Sequence, residues 1–277
     1  MRNLNKYTEN CFDFHLNVLH RKRDINLKNR ITAINNTIRL RFEEYQAGIT
    51  SHNLHLLNPG FFSDDQKTDL ESLYDYRAKL FKDLKQQLST MDDGTIQPLC
   101  PYCTVNNSNT FDHFIPQGEF AEFSDNPINL MPCCSYCNDK KLNQWRNDTF
   151  GTWLNLYFDT LPNVAYLFTN LSLQDSINVE FYIDNPNNIN QPLFSKIQNH
   201  YQKLDLCHLF KENSYNVISE LQISLKNCSG YLNYETIKNI TIQNAQDERN
   251  RFGYNYWKSV LKIACCENIQ IFNFLLS

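Results

Sequence analysis

The residues best suited to chemistry crowd into one stretch, Leu99 to Lys141. It opens with Cys100-Pro101-Tyr102-Cys103, passes through Asp112-His113 and Asn129, and closes with Cys133-Cys134-Ser135-Tyr136-Cys137-Asn138-Asp139-Lys140-Lys141. A Cys-x-x-Cys turn aims two thiolates at one point, and two such turns can close a four-coordinate zinc cage. A closed cage supplies on the order of 10 kcal/mol of folding free energy. A segment rich in Asn, Pro and Ser and poor in aliphatic residues needs that help. Cys100, Cys103, Cys134 and Cys137 are the expected structural zinc ligands, with disulfides or buried free thiols as the competing use. Cys133 adjoins Cys134, but only Cys134 repeats the knuckle spacing, so Cys133 is expected to turn toward the core. Between and just after the knuckles lie the groups a phosphodiesterase needs. Asp112 and Asn138 offer oxygens to a hard cation, and a neutral His113 can take a proton from water near pH 7.

Asp112-His113-x-x-Pro116, then Asn129-Leu130, then Cys134-x-x-Cys137-Asn138-x-x-Lys141 resembles the HNH endonucleases, also called His-Me finger or ββα-metal nucleases, and most of all their four-cysteine zinc branch. The resemblance implies a two-stranded hairpin and a helix around a metal site. It implies that His113 is the general base, that Asp112 and Asn138 hold one catalytic cation, magnesium or manganese, and that Asn129 pins the facing loop and orients the imidazole. Many members carry a histidine where Asn138 stands; the asparagine reads as a variant of the zinc branch. Ser135 would lie near the start of the helix after the second knuckle, leaving Lys140, Lys141 and Arg146 for the DNA backbone. Hydrolysis of phosphodiester bonds in DNA is the implied activity. A weaker resemblance, to the HNH effectors of bacterial anti-phage systems such as Septu and some retrons, implies an ATPase or other defence-system partner and is compatible with an oligomer.

One tension is built into the motif. Neighbours on a regular strand point to opposite faces, so Asp112 and His113 reach one site only if the backbone bends or ends there. Pro116 is consistent with such an exit. An Asp-His pair alone is more often structural than catalytic, and it carries weight here only between the knuckles. The competing readings are a zinc-ribbon module that binds nucleic acid or protein without cutting, and a nuclease directed at RNA or a secreted toxin of the colicin type.

The rest of the chain must position this stretch. With 277 residues, 42% hydrophobic and 20% charged, and a net charge of -4, the chain reads as folded, so DNA contact requires a local basic face. No export signal or membrane span is legible, and ten cysteines with four in knuckles point to a reducing cytoplasm. The fold class expected is α+β, mostly helical: a helical region over 1–95, the zinc-bearing module over 96–150, and a mainly helical region with a short β-hairpin over 151–277. In the first region Arg21, Lys22 and Arg23 cluster ahead of one amphipathic helix. Ile31, Ile34, Ile38, Phe42 and Tyr45 line it, it ends near Gly48, and its cations, Arg41 included, face water. The cluster is either a solvated face or a DNA-backbone patch. Ser63-Asp64-Asp65 caps a second helix running to about Thr90. After Trp145, an alternating strand over 177–183 pairs with 164–173. Helices are expected over 192–206, 215–226, 234–251 and from Tyr256 onward.

Overall fold

Asn10 and Asp24 start the first two helices of the computed structural model, which describes residues 1–147 and 149–277. The Asn10 side chain accepts from Phe12 N and Asp13 N to cap α1 (Cys11–Arg21), and Asp24 accepts from Asn26 N and Leu27 N to cap α2 (Ile25–Thr50). The expected helix therefore begins earlier than its apolar stripe indicates, and a separate helix precedes it. It also runs past Gly48, where a Cβ would stand 3.1 Å from Leu54 Cδ1, so glycine lets the following turn pack closely. Leu27, Ile31, Ile38, Phe42, Tyr45 and Ile49 are buried along α2.

Ser63 makes the expected cap, with Gln66 completing a reciprocal capping box. The helix it starts is short. α3 (Asp64–Glu71) stops at Ser72, and α4 (Lys79–Ser89) begins after a turn in which Asp75 Oδ1 accepts from Arg77 N. Leu73 in that break is wholly buried, so tertiary packing overrides the helical stripe that continues through it.

β1 (Thr110–His113) pairs antiparallel with β2 (Leu130–Cys133), with Thr110 opposite Cys133, Asp112 opposite Met131 and His113 opposite Leu130. The connection carries two single 3-10 turns, Ala121–Phe123 and Pro127–Asn129. α5 (Ser135–Lys141) follows at once, with Cys134 at its N-cap. A hairpin followed by a helix is the arrangement the family resemblance implies.

β3 (Leu167–Leu173) and β4 (Ile177–Ile183) form the second hairpin, with Val179 and Phe181 buried. Then come α6 (Gln191–Leu204), α7 (Leu206–Ser229), α8 (Tyr234–Phe252), α9 (Trp257–Glu267) and α10 (Ile269–Leu276). Phe210 and Trp257 stack with centroids 5.4 Å apart. The final expected helix is two helices, because Asn268 ends α9 and its side chain caps α10. No single helix among the described residues is long and apolar enough to cross a membrane; α9 and α10 pass jointly but turn by 94°.

The described residues divide into two compact units, one of residues 3–101 and 106–160, the other of residues 1–2, 102–105 and 161–277. The architecture is α+β and mostly helical, with two small antiparallel sheets.

Candidate metal centre

The two knuckles are shaped by their own backbones. Cys100 N donates to Asn106 O at 2.8 Å and Thr104 takes a left-handed φ of 54°, so the chain doubles back after Cys103. Cys134 sits at the N-cap of α5, which places Cys137 on the first turn. The sulfurs of Cys100, Cys103, Cys134 and Cys137 all lie within 4.8 Å of one another, and all four residues are buried. Zinc–sulfur bonds of about 2.3 Å put tetrahedral sulfurs roughly 3.8 Å apart, so this set fits such an ion. Asn106 Nδ2 donates to Cys134 Sγ at 3.8 Å, which favours the thiolate form. Cys133 stands outside the cluster, on β2, where burial above all pushes its thiol well above the ordinary cysteine range. Four cysteines converge, and Cys134 rather than Cys133 is the third.

Asp112 and His113 are neighbours at the end of β1, and each meets a different partner. Asp112 is buried with Oδ1 2.8 Å from Lys141 Nζ. The same ammonium donates to His113 O at 2.9 Å and to Phe114 O at 3.2 Å. Consecutive carbonyls of a regular strand point in opposite directions. Their convergence on one nitrogen means that the chain bends just after β1. Lys141 is thus a structural tie and not the surface cation expected at the DNA backbone: its side chain is 0% exposed. Asn138, half-buried, precedes Lys141 by three positions on α5 and shares its side of the helix.

The His113 ring is half-buried. Its Nε2 lies 2.9 Å from Ser124 O, and the ring meets Tyr74 edge-on with centroids 4.7 Å apart. A carbonyl only accepts, so Nε2 carries the proton and Nδ1 keeps the lone pair. Desolvation draws the His113 pKa below histidine's ordinary value; the Ser124 hydrogen bond and the Asp112 charge oppose that, and Lys141 adds to it. The ring is therefore neutral at pH 7.

Asn129 is wholly buried and serves the loop. Its Oδ1 accepts from Ile115 N at 2.8 Å and from Tyr45 OH at 3.1 Å, while Nδ2 donates to Ile115 O and Phe123 O. The ring's own hydrogen bond is to Ser124, not to Asn129.

The remaining cations divide. Arg146 donates from Nη1 to His55 O and Leu57 O and from Nη2 to Glu119, and it packs over Trp145, so its guanidinium clamps a loop. Lys22 is half-buried and donates to Ser72 O. Arg41, expected on the wet side of α2, is turned inward onto Glu122 at 2.9 Å. Arg21 and Arg23 are exposed, and Lys140 lies 4.8 Å over the Tyr136 ring.

Residues 97–144 match the family model described as HNH endonuclease. This segment is an HNH domain. The chain is also similar to Protein ea31 of Escherichia phage lambda, with 25% identity over 224 residues covering 74% of each chain. No solved structure matches. Two contacts of the His113 ring are not legible in the sequence. The Ser124 carbonyl is invisible as a side-chain signal, and Tyr74 reaches His113 only because α3 breaks at Ser72. The burial of Lys141 did have a signal: Cys134, Cys137 and Lys141 recur at three and four positions, so a helix that buries the cysteines buries the lysine too.

Proposed function

We propose that this chain is a metal-dependent HNH endonuclease that hydrolyses phosphodiester bonds of DNA, with zinc in the four-cysteine cage as a staple. The observation that carries the reading is the Ser124 O to His113 Nε2 hydrogen bond, which leaves Nδ1 of a neutral imidazole as the proton acceptor. His113 is the general base, worth about 10²–10⁴-fold in rate. Asp112 and Asn138 would hold one magnesium or manganese ion; a carboxylate and an amide oxygen suit a hard cation that keeps most of its waters. When bound, that ion offsets the charge that builds on the scissile phosphate. Asn129 keeps the loop after β1 in place, and Lys141 holds the Asp112 carboxylate and the bend beside it.

Arg21, Arg23 and Lys140 are the cations proposed for the DNA backbone. The resemblance to anti-phage effectors extends the proposal to a defence role beside an ATPase partner. A cage of thiolates suits the reducing cytoplasm.

The test incubates the zinc-loaded chain with plasmid, single-stranded DNA and RNA, with magnesium or manganese and then with chelator. Divalent-dependent cutting of DNA is expected. Zinc content without cutting of any substrate would make the chain a binding module, and cutting of RNA alone would redirect the activity.

A further inference from the structure

The tautomer of His113 depends on where Ser124 O stands, and Ser124 closes a single 3-10 turn, its N–H and Oγ both donating to Ala121 O, with no longer helix or strand around it. Ser124 to Asn126 link the 3-10 turns Ala121–Phe123 and Pro127–Asn129, and all of these residues are buried. Two acidic side chains in this stretch point inward. Glu122 is met by Arg41 of α2, and Asp125 is met by His15 of α1, with His15 Nδ1 2.9 Å from Asp125 Oδ2 and exposures of 0% and 2%. The second ring nitrogen of His15 lies 3.3 Å from Asn35 Oδ1. Burial works against the charged ring, but the Asp125 carboxylate and the hydrogen bonds to Asp125 and Asn35 outweigh it and hold the His15 pKa above the ordinary value, which favours an imidazolium facing the carboxylate. Phe12 stacks on the ring at 5.5 Å, and Phe42 meets its edge at 5.9 Å.

A buried ion pair is a poor way to gain stability, since an apolar pair of the same volume often does as well. Its strength is direction: a ring N–H aimed at a buried carboxylate oxygen admits a narrow range of geometries. Asp125 is the residue next to Ser124, so a hold on its side chain restrains the neighbouring carbonyl, beside the hydrogen bonds that Ser124 makes to Ala121 O.

We propose that the His15–Asp125 pair is a positioning device that ties the 124–126 stretch to α1 and so keeps Ser124 O on His113 Nε2, holding the proton on that nitrogen and the lone pair on Nδ1. The inference rests on reading His113 as the base. His15 and Asp125 touch no reacting atom; they act through the Ser124 carbonyl.

The experiment compares the full zinc-loaded chain with its Asp125→Asn variant. Long-range nitrogen–proton NMR of labelled histidine reads the His113 tautomer above its pKa, with the signal assigned by its loss in His113→Ala. The expected result is a dominant Nε2–H form in the parent. In Asp125→Asn the Nδ1–H form should appear with zinc content unchanged, and single-turnover cleavage should fall at least about tenfold with DNA affinity retained. An unchanged tautomer in a variant that keeps its zinc would overturn the proposal. If Asp125→Asn does not fold, the double variant His15→Gln, Asp125→Asn, which replaces the ion pair with a neutral hydrogen bond, is read in the same way. Loss of fold in both would overturn it in favour of a purely structural pair. Because the tautomer is read without substrate, the inference is tested even if the parent cuts nothing, and full activity of His113→Ala would sink the reading of the base alone.

Discussion

Lys141 Nζ lies 2.8 Å from Asp112 Oδ1, and the two side chains are 0% and 3% exposed. The ammonium also collects two carbonyls from the bend after β1, so one side chain of α5 closes the gap between helix and hairpin. Removing one member of such a pair strands the other in a medium that solvates charge poorly. Lys141→Ala is expected to lower stability by about 3–5 kcal/mol, measured by denaturant unfolding at constant zinc. A lysine acting at the DNA backbone would behave differently. It would leave stability untouched and reduce the salt dependence of binding by about one unit of slope, and that pattern would contradict the buried tie.

The cage discriminates between adjacent cysteines. Cys134→Ser removes a ligand and, with it, much of the roughly 10 kcal/mol that closing the site contributes. Zinc should be lost and the HNH domain should unfold. Cys133→Ala should retain its zinc, because that thiol is held in the protonated form by burial on β2 and lies outside the cluster. Metal content of the two purified variants checks the assignment; equal loss in both would contradict it.

Much of this arrangement was legible in the residues themselves. The knuckle spacing specified which four cysteines converge, and alternation over 177–183 specified a strand. Ser63 announced its helix start because capping is a local event. What escaped depends on tertiary packing. The apolar stripe from Leu70 to Leu88 continues across the break at Ser72, where Leu73 is buried outside any helix, so the spacing of apolar residues does not mark the break. Arg41 reads as a solvated cation because charge by itself does not tell which face of a helix a residue occupies, whereas the burial of Lys141 follows from its spacing to Cys134 and Cys137. A backbone carbonyl such as that of Ser124 leaves no mark in a sequence at all.

Desolvation sets the sign of the pH dependence. His113 titrates below its ordinary value of 6.5, so the base stays neutral to lower pH than a free imidazole would. The single-turnover rate should fall with a midpoint below pH 6.5. The same shift affects stability. The unfolded chain binds the proton more readily, so the contribution of this group is lost as pH falls below 6.5 toward the folded value. A midpoint above pH 6.5 would contradict a desolvated base.

The most direct measurement is single-turnover DNA cleavage by His113→Ala beside the parent, at matched zinc content. The account predicts that the variant keeps its zinc and its fold while the rate falls by about 10²–10⁴. Cleavage at the parent rate would contradict it, because the imbalance of protons at the His113 ring, one nitrogen bonded to Ser124 O and the other left to accept, would then have no part in the chemistry.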